Sequence, residues 1–250
     1  MDGGEPARWS AVAAAWADLW GRLAAPVWAP LLEAAHVGEG TRVLDVGCGT
    51  GELLGHLVGL GALAAGVDPA PAMAAHARDQ HPGVTVREGD VEHLPFEGAS
   101  FDAVLSVNAL QFAEDTGAAL AEVGRVLAPG GRVGVACWAE GERNDLDVVE
   151  RAVAAAYEED VPPDGPLRAA GGLESALVAA GYDVVGAGIV DVPWVVPDDE
   201  RLVRGVLLGE DERTTAELAP TVVAAAEPFR AAGGGYRLDN AFRWAVARAG

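Results

Sequence analysis

Apolar and polar positions follow two periods along this chain. Residues 8–36 carry apolar side chains at three- and four-residue spacing, which is typical of amphipathic helices. Pro26 and Pro30 divide this region into two or three short helices. From residue 41 onward, apolar runs of strand length alternate with segments of helical period. We predict strands at 41–46, 63–67, 84–88, 101–106 and 131–137, and helices at 52–59, 71–79 and 116–127.

The same alternation continues in longer segments through the second half of the chain. We expect helices near 145–158 and at 173–180, a Pro- and Gly-rich loop at 161–172, a strand from Tyr182 to Val195 whose length suggests a bulge or bend, Ala-rich helices at 198–232, and a half-exposed strand at 236–246. Strands alternating with helices predict an α/β fold, in which helices cover both faces of a parallel sheet. The last two strands can pair with each other as an antiparallel edge.

The junction between the first strand and the following helix is rich in glycine. Residues 41–52 read TRVLDVGCGTGE, with glycine at positions 47, 49 and 51. Glycine allows positive φ and lets a ligand approach the backbone, because no Cβ stands in the way. A strand, a tight turn and a helix start in this order open a nucleotide site in an open α/β sheet. The spacing is GxGxG, and Glu52 stands where a dinucleotide fingerprint has its third glycine.

Two carboxylates near this turn narrow the choice of ligand. Asp45 would repel a pyrophosphate, whereas it suits a ligand with an ammonium or sulfonium group, which favours S-adenosylmethionine (SAM). Asp68 ends the second strand, where such folds place a carboxylate on the two ribose hydroxyls. Asp68 followed by Pro69 also marks a helix start, which is compatible with that role. An NAD site and a Gly-rich turn of another α/β protein remain alternatives for the glycine motif alone.

These residues closely resemble the first motif of the class I SAM-dependent methyltransferases. Within that superfamily, the chain is most similar to the small-molecule group typified by the ubiquinone and menaquinone biosynthesis enzymes. The resemblance is specific over about residues 41–140 and holds only in outline elsewhere. It implies an α/β fold with a seven-stranded, mostly parallel Rossmann-like sheet. We expect an N-terminal helical lid at 1–40, a SAM-binding core at 41–195 and 236–250, and a helical cap insertion at 196–235.

The resemblance also implies which residues bind SAM. Backbone groups around Gly47 hold the methionine part of the ligand, with Asp45 in the same polar network. Asp90, after the third strand, accepts from the adenine amino group, and the backbone amide of Val91 serves a ring nitrogen. The expected cofactor-binding residues are Asp45, Gly47, Cys48, Gly49, Gly51, Asp68, Pro69, Met73, Gly89, Asp90, Val91, Ser106 and Val107, together with Trp16 and Trp20 of the lid.

The end of the fourth strand is where the methyl group is expected to face its acceptor. Asn108 and Gln111 are the candidate acceptor-side residues, although Asn108 is also placed to cap a helix. His93 is a further candidate for contact with the substrate. No Ser/His/Asp, Cys/His or metal-ligand cluster is visible, so we expect no metal. Methyl transfer by in-line displacement depends mainly on alignment, and the sequence identifies no general base.

Tryptophan is concentrated near the N-terminus, where four of the seven residues fall within the first 28 positions. One interpretation is a core stripe that docks the helices on the body. The other is a lid that shields SAM and selects an apolar acceptor. The four are Trp9, Trp16, Trp20 and Trp28, and Trp138 and Trp194 are further pocket candidates.

Charge and composition exclude several classes of function. The net charge is −21, and all 17 basic residues are arginine. Such a surface repels phosphate backbones, and the fourth strand lacks the Asn/Asp-Pro-Pro-aromatic motif of base-modifying methyltransferases, so we expect no nucleic-acid substrate. Cys48 and Cys137 are too few for a disulfide framework. Neither a signal peptide nor a membrane span is evident, so we expect a cytoplasmic monomer or homodimer without membrane contact.

The sequence therefore predicts a SAM-dependent methyltransferase that acts on O, N or C of a small, apolar metabolite and releases S-adenosylhomocysteine (SAH). One alternative is a SAM-binding protein of this fold that catalyses a non-methylating reaction such as cyclisation. The other is a non-catalytic methyltransferase-like subunit, and the intact cofactor motifs argue against it.

Overall fold

The computed structural model describes residues 6–159 and 163–250. The first five residues of the predicted lid, and positions 161 and 162 of the predicted loop, lie outside this part. The strands are β1 Arg42–Val46, β2 Leu63–Asp68, β3 Thr85–Glu88, β4 Phe101–Val107, β5 Leu127–Trp138, β6 Asp183–Asp191, β7 Trp194–Val196, β8 Tyr236–Leu238 and β9 Ala241–Arg248. The α-helices are α1 Pro6–Leu19, α2 Ala25–Ala35, α3 Glu52–Gly59, α4 Pro71–Gln80, α5 Thr116–Val126, α6 Asp145–Ala156, α7 Gly172–Ala179, α8 Asp199–Val206 and α9 Glu212–Ala226.

Within the described residues, seven strands form one sheet in the order β3-β2-β1-β4-β5-β9-β6. The first five strands of this order are parallel to one another, whereas β9 runs antiparallel to both β5 and β6. This arrangement confirms the predicted fold class. Alternate side chains of β4 enter different cores, because Val104 packs with α5 and α7 on one face whereas Leu105 packs with α2 on the other.

Two predicted long strands are each divided between this sheet and a second one. β7 and β8 pair with each other as a separate two-stranded sheet. The first division falls at Pro193, which lacks the N–H that a continuing ladder requires. The second falls at Asn240, whose buried side chain accepts a hydrogen bond from the Leu146 N–H at 3.0 Å. These breaks let each segment leave the main sheet and join the second one.

The prediction of a half-exposed final strand was wrong for β9. Its side chains are almost entirely buried, with Phe242 and Val246 at 1% exposure or less. The reason is its position between β5 and β6, where α2 covers one face and α7 contacts the other. The alternation visible in the sequence arises because Arg243 is buried in an ion pair with Glu140.

The second sheet belongs to a helical subassembly over one end of the molecule. β7, β8, α6, α8, α9 and the end of α1 contribute to a single apolar cluster. Trp20 joins this cluster from the N-terminal side, and Asp18 forms ion pairs with Arg201 and Arg204 of α8. The N-terminal helices and the inserted helices are therefore in direct contact. No helix in the described part of the chain is both long enough and apolar enough to cross a bilayer.

Candidate functional site

The ends of three neighbouring strands bring the predicted site residues together. Asp45 of β1 lies opposite Gly66 of β2 and Leu105 of β4 in the strand register. The loop after β1 then bends toward β2, because the N–H groups of Gly47 and Cys48 both donate to the Val67 carbonyl, at 2.8 and 3.0 Å. The glycine loop is thus held at the carboxyl edge of the sheet, where ligands bind in this class of fold.

Two glycines of this loop are required by its shape. Gly47 has φ +72°, and a Cβ built there would lie 2.2 Å from the Cβ of Ala109. Gly51 has φ +96°, and a Cβ there would lie 3.1 Å from that of Ala77. Positive φ and close backbone approach are the two conditions that favour glycine. Ala109, which the sequence did not indicate as a site residue, packs directly against Gly47.

Asp68 ties the loop to the end of β2. Its side chain is 7% exposed, and its two oxygens accept hydrogen bonds from the N–H groups of Gly49 and Ala70, each at 2.9 Å. Burial raises the pKa of this carboxyl, and the two N–H donors oppose that rise. Each oxygen keeps a further lone pair that can accept from a ligand hydroxyl.

Asp45 lies in an unusually acidic environment. It is 2% exposed, and burial, followed by repulsion from Asp68 and Glu52, raises its pKa to about 8. Glu52 accepts hydrogen bonds from the Thr50 hydroxyl at 2.7 and 2.9 Å. Among the residues described, no Arg or His forms an ion pair with any of these three carboxyls. The loop therefore offers uncompensated negative potential to a cationic ligand.

Glu52 belongs to this acidic group, although the sequence indicates it only as a departure from a dinucleotide fingerprint. Its proximity to Asp45 depends on the turn through Thr50 at the start of α3, so the tertiary structure was needed to identify it as part of the site.

Helix α1 covers this end of the sheet. Ala13 packs with Ala70 and Met73 of the β2–α4 region, and Trp9 and Trp16 lie against the same small cluster. The Trp16 Nε1 atom lies 3.9 Å from the position that a Cβ on Gly49 would take. Trp16 therefore lies beside the glycine loop. Trp20 instead packs in the apolar cluster of the inserted helices.

The predicted adenine-side residues lie along the edge formed by β3 and its following loop. Gly89 donates from its N–H to the Asp68 carbonyl at 3.2 Å. Asp90 is exposed, and its Oδ1 accepts from the Glu92 N–H at 2.7 Å, which leaves Oδ2 for another donor. Val91 is half-buried against the main core, and Pro69 is exposed. An adenine-binding role for this group remains a prediction.

The end of β4 and the segment that follows it contain two buried polar atoms that have no partner among the described residues. Asn108 has φ +55°, donates its N–H to the Ala136 carbonyl at 2.7 Å, and accepts from Gln111 Nε2 through Oδ1, also at 2.7 Å. Gln111 Oε1 and Ser106 Oγ are buried and have no hydrogen-bond partner in the described part of the chain. The following 3₁₀ turn, Leu110–Phe112, has no side-chain cap, so Asn108 does not act as a helix cap here. Val107 is half-buried beside it.

Histidines contribute little to this arrangement. His93 is exposed, and it acts electrostatically on Glu122 of α5. The His81 ring nitrogen Nε2 lies 2.9 Å from the Gly51 carbonyl, behind the glycine loop. Within residues 6–159 and 163–250, no group of three or more His, Cys, Asp or Glu is arranged to hold a metal ion. The geometry gives His93 no contact that supports a role in chemistry.

Comparisons with known proteins agree with this geometry. A family model described as a methyltransferase domain matches residues 44–135. The malonyl-[acyl-carrier protein] O-methyltransferase of Erwinia pyrifoliae is 35% identical over 154 residues, covering 61% of this chain and 58% of that protein. The corresponding Yersinia pestis protein is 38% identical over 116 residues, covering 46% of this chain and 43% of its own length. The chain thus spans about half the length of the curated relatives it matches.

Solved structures share the fold. A SAM-dependent methyltransferase from Aquifex aeolicus superposes with a TM-score of 0.58 at 16% identity, covering 98% of each chain. The [4+2]-cyclase SpnF superposes with a TM-score of 0.55 at 21% identity, covering 89% of this chain and 80% of its own. At these identities the likeness concerns the fold alone. The domain match, the strand order and the glycine loop together show that this chain carries a methyltransferase domain of the class I, SAM-dependent type.

Proposed function

We propose that this chain transfers a methyl group from SAM to a small, apolar acceptor. The observation that carries the proposal is the acidic group at the glycine loop, where Asp45, Asp68 and Glu52 lie together without a cationic partner in the described structure. With no cation beside it among the described residues, Asp45 stays protonated near neutral pH, because burial and repulsion from Asp68 and Glu52 raise its pKa to about 8, and a bound cation would favour its ionised form. SAM carries both an ammonium and a sulfonium group, so it would supply the positive charge that this loop lacks.

The remaining loop residues fit the same molecule. Gly47 and Gly49 present backbone without side chains, and Asp68 has a lone pair on each oxygen for a ribose hydroxyl. Ser106 Oγ is buried without a partner at the end of the adjacent strand, so a polar ligand atom would complete it. NAD fits less well, since its pyrophosphate would approach three carboxyls.

The residues of the chain would bind and orient the two reactants and exclude water. When bound, SAM would supply a methyl carbon on a positively charged sulfur. The lone pair of the acceptor would form the new bond, the carbon–sulfur pair would stay on sulfur, and the acceptor proton would be released to bulk solvent. Trp9 and Trp16 cover the site from α1, and the ring centroid of Trp9 lies 5.8 Å from that of Phe112. This aromatic wall would favour an apolar acceptor and limit access of water. Holding both reactants in line can contribute roughly 7–11 kcal/mol of the barrier.

The names of the curated relatives specify an oxygen acceptor, which supports O-methylation as one form of the reaction. Asn108 and Gln111 are the proposed acceptor-side residues because they follow β4 beside the glycine loop. The division into lid, core and cap, a cytoplasmic location, and a monomeric or homodimeric state remain predictions.

The proposal is tested in two steps. Calorimetry should show binding of SAM and SAH and no binding of NAD. Incubation with methyl-labelled SAM and a library of small acceptors should then give a labelled product and an equal amount of SAH. Binding of NAD without SAM would overturn the cofactor assignment. Conversion of an acceptor with no consumption of SAM would favour the non-methylating alternative.

A further inference from the structure

The unpartnered oxygen of Gln111 constrains the chemistry of the acceptor. The side-chain nitrogen of Gln111 already donates to Asn108 Oδ1 at 2.7 Å, whereas its Oε1 is buried and accepts from nothing in the described part of the chain. Buried polar atoms in folded proteins almost always have a partner, so an exception calls for an explanation. Resting on the proposed function, we infer that the acceptor presents an O–H or N–H group to Gln111 Oε1. The site then selects alcohols, phenols and amines over carboxylates.

The contacts of its neighbours place Gln111 between the glycine loop and α1, where the proposed function puts the acceptor. Two residues before it, Ala109 lies so close to Gly47 that no side chain fits at that glycine. The next residue, Phe112, contacts Trp9 of the covering helix. Gln111 is therefore bracketed by one contact with the glycine loop and one with α1. A ligand that extends from the loop toward α1 would pass this side chain.

The backbone holds the Gln111 amide in the required orientation. Asn108 is bound through its own N–H to the Ala136 carbonyl of β5, and its φ of +55° turns the chain sharply after β4. Because the amide nitrogen of Gln111 donates to Asn108 Oδ1, the oxygen on the same amide carbon is the atom that points away from Asn108. The oxygen is thus presented by a supported side chain rather than a freely rotating one.

A carbonyl oxygen only accepts hydrogen bonds, so it discriminates between ligand classes. Alcohols, phenols and amines have a hydrogen to donate, whereas an ionised carboxylate has acceptors alone. A carboxylate would also be repelled by Asp68 and Glu52 and by a chain of net charge −21. Ser106 Oγ, the other unpartnered atom, can donate or accept and therefore does not discriminate. A malonyl group, which ends in a carboxylate, is consequently not the acceptor expected here.

The test uses three probes with one apolar skeleton: 2-naphthol, 2-naphthylamine and 2-naphthoate. Their binding to the SAH-saturated protein is measured by calorimetry at pH 7.5. We expect naphthol and naphthylamine to bind at least about tenfold more tightly than naphthoate. Gln111→Leu should weaken naphthol binding about fivefold, the value of one neutral hydrogen bond, while naphthoate and SAH binding change less than twofold. Gln80→Leu, the same change at the exposed end of α4, should leave all four affinities as in the unmodified protein.

The following outcomes would contradict the inference. Equal or tighter binding of naphthoate, naphthol binding that ignores Gln111→Leu, or failure of every probe to bind would overturn it. Weaker SAH binding in Gln111→Leu would assign the residue to the cofactor instead. If Gln111→Leu does not fold, Gln111→Met replaces it, and the preference of the unmodified protein among the probes still decides. Absence of SAH binding to the unmodified protein would overturn the proposed function as well, which separates the two failures.

Discussion

The indole of Trp20 stacks on that of Trp194, with 4.4 Å between ring centroids and 19° between ring planes. Its Nε1–H donates to the Gly205 carbonyl at 3.2 Å. Gly205 has no space for a side chain, because a Cβ there would lie 2.4 Å from the Trp194 ring. Trp20, which follows α1, therefore anchors this helix to β7 and α8. Through this contact, α1 and the inserted helices pack against each other beside the carboxyl edge of the sheet.

We predict that Trp20→Leu loosens this anchor. Loss of the stacking contact and of the indole hydrogen bond should lower the free energy of unfolding by about 2–4 kcal/mol, somewhat below the range for Trp→Ala in a core. Quenching of tryptophan fluorescence by SAH should also diminish if α1 closes over the ligand. The control is Trp244→Leu, since Trp244 packs against Gly186 and Gly188 of the edge strand. Full quenching in the Trp20 variant would argue that the contact has no part in covering the site.

We predict that Asp68→Ala weakens binding of SAM and SAH by about 1.5–3 kcal/mol, the range for hydrogen bonds to a charged group. The reason is that Asp68 holds Gly49 and, in the proposed binding mode, would offer lone pairs to the ribose hydroxyls. Calorimetry measures the effect. Asp102→Ala is the matched control, because Asp102 pairs with Arg42 at the opposite end of β4. Unchanged affinity in the Asp68 variant would mean that the ribose is held elsewhere.

The stability of the unliganded protein should depend on the ionisation of Asp45. Its pKa is about 8 in the folded chain, against about 3.9 when unfolded. Between these values the folded state keeps a proton that the unfolded state has lost, so stability falls as pH rises from about 4 to about 8 and then levels. Urea unfolding between pH 5.5 and 8.5 measures this dependence. The free energy of unfolding should fall less steeply with pH in Asp45→Asn than in the unmodified chain, by up to about 1.4 kcal/mol per pH unit.

The comparison with Asp45→Asn also removes the effect of overall charge. A chain of net charge −21 repels itself more as pH rises, and every variant shares this trend. Asp102→Asn is a further reference, because the Arg42 guanidinium lowers the pKa of Asp102 instead of raising it. Identical slopes for the Asp45 variant and the unmodified chain would show that Asp45 is ionised throughout this pH range.

We predict that removing the Asn108 side chain lowers turnover about five- to tenfold while SAM affinity stays within about 1 kcal/mol, since a contact confined to the transition state leaves cofactor binding largely unchanged. The informative variant is Asn108→Gly, because glycine adopts the observed φ of +55° without strain. Asn108→Ala adds a backbone cost of roughly 1–2 kcal/mol. Full turnover in the glycine variant would show that the side chain is dispensable, and loss only in the alanine variant would assign the effect to the backbone.

Much of the fold follows from local signals. The apolar runs and glycine turn of residues 41–52 predict β1, its loop and α3 within one residue, because alternating strand and helix periods and positive-φ glycines are properties of short segments. The same holds for the positions of Asp45 and Asp68 at strand ends. By contrast, β9 was expected to be half-exposed, and its burial depends on which strands flank it.

The sequence by itself determined the α/β class, the glycine loop and the type of ligand that suits its carboxyls, since each depends on residue type and spacing along the chain. Only the tertiary structure decided which distant groups meet: Glu52 beside Asp45, Ala109 against Gly47, Trp20 on Trp194, and Gln111 with its oxygen unpartnered. The physical reason is that hydrogen bonding and Coulomb interactions act over a few ångströms in space. The number of residues between two positions does not predict their distance in space, because the order of strands in the sheet differs from their order in the chain. Segments such as 182–195 are also divided between two sheets.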